Sequence, residues 1–345
     1  MNLHQLGWDD GFAAAFEPYE QEGLTPGRVT AQHRGGYDVR CEAGELRARV
    51  TGRLRHDAAS ASELPAVGDW VALRAETVHA VLPRRSAFSR KVARSATEEQ
   101  VLAANVDTVF VVTALSGDLN LRRLERYLTL AWESGASPVI VLTKADLCDD
   151  VGGALLAVES VAIGVPVHAV SNVTGEGLDE LEHHLAPART VALLGSSGVG
   201  KSSLANRLAG EELQATREIA DDGRGRHTTT SRQLIRLPGG ALLVDTPGLR
   251  ELQLWDADDG IHGAFADVDE LAAGCRFNDC SHTREPGCAV HAAIDAGRLP
   301  LARLQSYRRL QRELDRLARK QDARLRSEER KKWVAVTRSR RRSSW

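Results

Sequence analysis

Residues 195–202 read GSSGVGKS, a match to G-x-x-x-x-G-K-[ST], with the apolar run TVALL before them and the helix-like run SSLANRLAG after. Strand, glycine-rich turn and helix in that order leave few folds open, because such a turn belongs at the C-terminal end of a buried strand. The glycines let the backbone curl until its N–H groups point at a phosphate, and the following helix adds the positive end of its dipole. On this reading Gly195, Ser196, Ser197, Gly198, Val199, Gly200 and Ser203 line a phosphate site. Lys201 reaches the β- and γ-phosphates of a nucleotide, and the Ser202 hydroxyl binds Mg²⁺.

The runs VDTVFVVTAL, SPVIVLTK, VPVHAV and ALLVDTPG have strand length, with helical patterns such as LRRLERYLTLAWES between them. Strands apolar on both faces imply a parallel sheet covered by helices. Several end on further motifs. Asp245 opens the sequence Asp-Thr-Pro-Gly; it can hold Mg²⁺ through a water while the Gly248 N–H senses a γ-phosphate. In Thr143-Lys144-Ala145-Asp146, the carboxylate can accept two protons from the edge of guanine, a pair that adenine lacks, so the nucleotide is GTP rather than ATP. Lys144 packs its stem along the base, and Ser171 and Asn172 support it from the next strand. The motifs run TKAD, SN, GSSGVGKS, HTTT, DTPG. With the guanine motif ahead of the phosphate loop, the expected unit is a circularly permuted α/β P-loop GTPase domain.

Many GTPases orient the attacking water with a glutamine just beyond the γ-phosphate-sensing glycine. Here Leu249 follows, and it cannot polarise water, so another loop or a partner completes the site. Within residues 223–230, Thr229 or Thr230 can ligate Mg²⁺ and His227 can position or deprotonate the water. The other reading of His227 is a structural loop residue.

Around this core the chain changes character. Residues 1–20 look like an amphipathic lead-in without an assigned function. From Gly27 to about Leu82, short runs (GRVTAQH, GYDVRCE, GELRARVTG, GDWVALRAETVHAVL) punctuated by Gly and Asp suggest a small barrel. The OB-fold is the natural candidate, though periodicity does not separate it from an SH3-like barrel or a binding barrel from a spacer. Cys275, Cys280, His282 and Cys288 give C-x₄-C-x-H-x₅-C. Three thiolates and an imidazole make a closed tetrahedral Zn²⁺ site of the structural kind; reduced cysteines without metal are the alternative.

The net charge is only −2, yet from Leu301 to Trp345 sixteen Arg or Lys face five Asp or Glu. That asymmetry points to a polyanionic partner for the C-terminal end, through Arg308, Arg309, Arg312, Arg316, Arg319, Lys320 and the run RSRRR. Arg28, Arg34, Arg40, Arg47, Arg49, Arg53 and Arg55 suggest the same for the barrel. No segment is apolar for the ~18 residues a membrane helix needs, and no signal peptide opens the chain, so a cytoplasmic protein without a membrane partner is expected.

Motif order, barrel and metal patch, with FSRK (88–91), EQVLAANVDTVF (99–110) and GRHTTT (225–230), resemble the ribosome small-subunit-dependent GTPase A family over nearly the whole chain. The resemblance implies a GTPase acting late in small ribosomal subunit maturation, stimulated by that subunit, with ribosomal RNA as the partner of both basic surfaces. The expected organisation is a lead-in (1–20), an OB-like β-barrel (21–92), the permuted G domain (96–254) and a C-terminal zinc-binding helical domain (255–345), as a monomer. Competing readings are a zinc-dependent RNA-binding scaffold that senses GTP without useful turnover, and a GTP-powered translation or RNA-modification factor. For the last, the sequence offers no modification chemistry.

Overall fold

The lead-in folds because Asp9 accepts hydrogen bonds from the N–H groups of Gly11 and Phe12, capping helix α1 (Asp10–Gln21). The helix then buries Phe12 and Phe16 beside Trp8 and the wholly buried Trp70, with ring centroids 4.7 to 6.2 Å apart. Aromatic packing of this kind adds ~0.5–1.5 kcal/mol per pair to the area buried. The computed structural model describes residues 2–91, 99–117, 119–210, 232–245, 249, 258–283 and 285–316.

Five strands follow: β1 (Thr25–His33), β2 (Gly36–Cys41), β3 (Gly44–Val50), β4 (Trp70–Arg74) and β5 (Thr77–Val81), with the short helix α2 (Gly52–Asp57) between β3 and β4. They pair in the order β1-β2-β3-β5-β4, and β4 returns to β1, closing a barrel. Consecutive hairpins give only antiparallel neighbours. The parallel pairing of β3 with β5, Arg49 opposite Thr77, therefore selects the OB arrangement over an SH3-like one. A separate hairpin, β6 (Ala87–Lys91) with β7 (Glu99–Ala104), leads out of the barrel.

The nucleotide-fold sheet is built from β8 (Thr108–Ala114), β9 (Ser137–Thr143), β10 (Val167–Ala169), β11 (Thr190–Leu194), β12 (Arg232–Arg236) and β13 (Leu242–Asp245). Their order is β10-β9-β8-β11-β13-β12; all neighbours are parallel except β12 and β13. β8 and β9 are buried along six of their seven residues, which explains their continuous apolar sequences. Helices α3 (Leu121–Glu133), α4 (Val151–Glu159) and α5 (Lys201–Ala209) connect the strands. Asn120 caps α3 by accepting from the Arg123 N–H, and Leu124, Leu128 and Ala131 form its buried stripe.

Helices α6 (Asp258–Ala264), α7 (Ala266–Ala272), α8 (Ala289–Asp295) and α9 (301–316) make the C-terminal part. α6 lies directly on α3: a Cβ at Gly260 would come within 2.3 Å of the Thr129 carbonyl oxygen, so only glycine permits that approach. Arg303, with its side chain 2% exposed, pins α9 by bonding Asp267 at 2.9 Å, Glu125 at 3.4 Å and the carbonyls of Ala264 and Val161. A buried guanidinium is tolerable only with such pairing.

Candidate functional site

The C-terminal ends of β9, β10, β11 and β13 bring the sequence motifs to one edge of the sheet. β11 runs straight into residues 195–200, where Gly195 takes φ +150° and a Cβ would stand 2.1 Å from the Val112 carbonyl oxygen. Lys201, 6% exposed at the start of α5, donates to the Gly195 carbonyl at 2.7 Å and to that of Ser196. Its ammonium is thus folded over the loop it serves. Ser197, Gly198, Ser202 and Ser203 are exposed, while Val199 is buried as the loop's anchor.

Two other motifs are tied to this loop. The Thr143 hydroxyl donates to the Val199 carbonyl at 2.5 Å, and the Asn172 amide donates to the Gly200 carbonyl at 3.3 Å. Among the described residues, Asn172 Oδ1 is buried without a hydrogen-bond partner. Ser171 donates to Asp146 Oδ1 at 2.6 Å and accepts from the N–H groups of Val173 and Thr174. Lys144 adopts φ +59°, a left-handed conformation that costs a non-glycine residue ~1–3 kcal/mol. The Ala145 N–H, bonded to the Val170 carbonyl, helps hold it there. Asp245 ends β13, half-buried. His227, Thr229, Thr230 and Gly248 lie outside the described residues. Leu249 is 1% exposed and packs in the core; it offers no polar group to a nucleotide.

The ligand atoms of Cys275, Cys280, His282 and Cys288 all lie within 4.8 Å of one another. Cys275 follows α7, Cys288 caps α8, and the intervening loop brings in the other two; His282 Nδ1 stands 3.6 and 3.5 Å from the sulfurs of Cys275 and Cys288. His282 has φ +54°, and His291 donates its ring N–H to the His282 carbonyl at 2.7 Å. The loop is therefore braced from outside the ligand set. Three sulfurs and one imidazole nitrogen at these separations fit one metal ion.

One expectation fails. Arg28 is no RNA-facing residue: it is 2% exposed and bonds the carbonyls of Leu6, Gly68 and Asn105 and the Thr190 hydroxyl. Burial pushes its guanidinium down to about 10, opposed by Asp107 and Asp69. A charge in a half-polar strand reads as surface until the lead-in is seen to cover it. Arg34, Arg47, Arg49, Arg53 and Arg55 are exposed, whereas Arg40 pairs with Glu45 at 2.7 Å. On α9, Arg309, Arg312 and Arg316 are exposed, and Arg308 is half-buried, its Nε and Nη2 without a partner among the described residues. Arg319, Lys320 and RSRRR lie outside the described residues. Sequence reading also misses Tyr127, whose hydroxyl sits 3.1 Å from Ser196 Oγ; no motif marks a tyrosine inside a helical run.

The sequence profile of the RsgA GTPase family matches residues 81–255. The chain belongs to the RsgA GTPase family. A relative from Opitutus terrae, named small ribosomal subunit biogenesis GTPase RsgA, is 49% identical over 352 residues, covering 97% of this chain and 96% of the relative. The crystal structure of YjeQ from Thermotoga maritima is 27% identical with TM-score 0.64, over 84% of this chain and 98% of that one. YloQ, described as a circularly permuted GTPase, is 25% identical with TM-score 0.61, over 85% and 95%. The fold of this RsgA-family GTPase is accordingly a permuted G domain with a closed five-stranded barrel ahead and a Cys₃His metal-site cluster behind. Among the described residues, no helix is long and apolar enough to cross a membrane.

Proposed function

We propose that this GTPase is a nucleotide-controlled switch in late maturation of the small ribosomal subunit, gripping ribosomal RNA through its barrel and C-terminal part. The observation that carries the reading is the shared edge: phosphate loop, Thr143–Asp146 loop and Ser171–Asn172 turn are hydrogen-bonded into one unit. The name of the Opitutus relative supports the small subunit as partner, and the exposed barrel and α9 arginines support RNA contact.

In this proposal residues 195–203 cradle the phosphates of GTP, with Lys201 toward the β- and γ-phosphates. Ser202 and Asp245, with Thr229 or Thr230, hold the Mg²⁺ that neutralises developing charge in phosphoryl transfer. Thr143–Asp146, Ser171 and Asn172 select guanine, and Gly248 senses the γ-phosphate. His227 is the candidate that orients water, since Leu249 cannot. GTP orders the loops and favours the RNA-bound state, and hydrolysis releases it. Cys275, Cys280, His282 and Cys288 hold one structural Zn²⁺. The working division is 1–20, 21–92, 96–254 and 255–345, in a cytoplasmic monomer.

The test is GTP turnover measured alone, with small subunits, with large subunits and with bare RNA. Slow intrinsic turnover with stimulation by small subunits is expected, within the ~10³–10⁵-fold that activators of other GTPases achieve. Equal turnover in all four arms overturns the partner; no turnover in any arm favours the scaffold reading.

A further inference from the structure

We infer that Tyr127 is a positioning residue for the phosphate loop, acting on Lys201 through Ser196. The inference rests on the reading of residues 195–203 as the nucleotide site. Helix α3 begins at Leu121, shortly after β8 ends at Ala114, so its first turns stand at the same end of the sheet as the loop. From the second turn Tyr127 brings its hydroxyl to 3.1 Å from Ser196 Oγ. Ser196 is also one of the two residues whose carbonyls receive the Lys201 ammonium. The tyrosine therefore fixes the side chain of the residue whose main chain fixes the lysine.

The loop needs this hold on its first half. Thr143 and Asn172 restrain Val199 and Gly200, in the second half. Ser197 and Gly198 are exposed, and Gly198, at φ +81°, has nothing within 4 Å of where a Cβ would be. Elsewhere on α3, Glu125 pairs with buried Arg303 and Arg126 with Glu313 at 2.7 Å, so the helix that carries Tyr127 is itself fastened to α9. A loop already held in its binding shape loses less freedom when nucleotide enters. Tyr127 contributes that restraint.

The test is equilibrium binding of a fluorescent GDP analogue to the full chain. Tyr127→Phe keeps the ring and removes only the hydroxyl; it should weaken binding about 3- to 10-fold, the net worth of one hydrogen bond, with the nucleotide-free melting temperature unchanged. Ser196→Ala should weaken binding by a similar factor, and the double variant should be no weaker than either single one, because both remove the same bond. Wild-type affinity in Tyr127→Phe, additive losses in the double variant, or a weakening matched by a drop in melting temperature overturns the assignment. Lys201→Ala is measured alongside: if it too binds as wild type, the nucleotide-site reading itself has failed.

Discussion

Ser171 donates its hydroxyl proton to Oδ1 of Asp146 across 2.6 Å, while the N–H groups of Val173 and Thr174 donate to the serine oxygen at 3.2 and 3.1 Å. The carboxylate that would read the base is thus aimed by a side chain twenty-five positions further on, itself fixed by its own turn.

Asp146→Asn should move base preference from guanine to xanthine, because an amide can donate where the carboxylate only accepts. Loss of a charge-assisted hydrogen bond predicts roughly 10- to 100-fold weaker guanine nucleotide binding. Ser171→Ala should shift affinity in the same direction by less. A competition assay with GDP and xanthosine diphosphate checks both, and unchanged discrimination in Asp146→Asn removes the base-reading role.

Cys280→Ser should bring zinc content below one per chain and lower the unfolding midpoint of the C-terminal helices, because such sites fold with their metal. No described hydrogen bond joins the four ligands to residues 195–203, so GDP affinity should hold. Metal analysis decides: a full equivalent of zinc in the variant contradicts the ligand set.

Arg303 and the residues beyond 316 should behave as opposites despite sharing positive charge. Arg303→Ala leaves Glu125 and Asp267 without their buried partner, and ~3–5 kcal/mol of stability should be lost, read by chemical denaturation. Removing 317–345 deletes eleven Arg or Lys and should weaken RNA docking. The salt dependence of docking should become shallower in step with the number of phosphates no longer neutralised. If saturating small subunits fail to restore turnover in the truncated protein, the tail serves more than docking.

The lead-in should loosen in acid. Arg85 holds the Asp9 carboxyl down to about 2, from 3.8, with burial opposing and the Phe12 and Gly11 N–H groups assisting. The unfolded chain takes up this proton at higher pH than the folded one. The pair's stabilisation is therefore present above pH 3.8 and lost as pH falls toward 2. Both side chains are about half exposed, so the effect is modest. Hydrogen-exchange protection of residues 10–21, taken relative to the intrinsic rate at each pH, should fall over that window, and Asp9→Asn, which keeps a capping side chain, should flatten the dependence. The same acid profile in the variant would assign the loosening to another group.

The parallel core was legible because its strands are buried on both faces. VDTVFVVTAL, SPVIVLT and TVALL are continuous apolar runs at β8, β9 and β11, and the glycine-rich turn 195–200 follows β11 directly. The Cys₃His cluster was legible from spacing. The barrel was legible as OB-like, but the local pattern alone could not exclude an SH3-like one, since the β3–β5 pairing joins residues far apart in sequence and leaves no local trace. Arg28 and Tyr127 escaped for one reason: each acts through a main-chain or hydroxyl partner on a distant segment, and only assembly reveals it.

Strand β1 belongs to two structures at once. One edge carries β2; along the other, its first half pairs with β4 to close the barrel and its second half with β12, Ala31 opposite Gln233 and Gln32 opposite Arg232, and the Arg232 guanidinium donates to the Gln32 side chain at 2.8 Å. β12 follows residues 211–231, the stretch carrying His227, Thr229 and Thr230. The β1–β12 ladder joins the barrel to the sheet through the main chain rather than through a free linker. A load on the barrel's arginines thereby has a main-chain route to the downstream end of the segment proposed to hold the catalytic water.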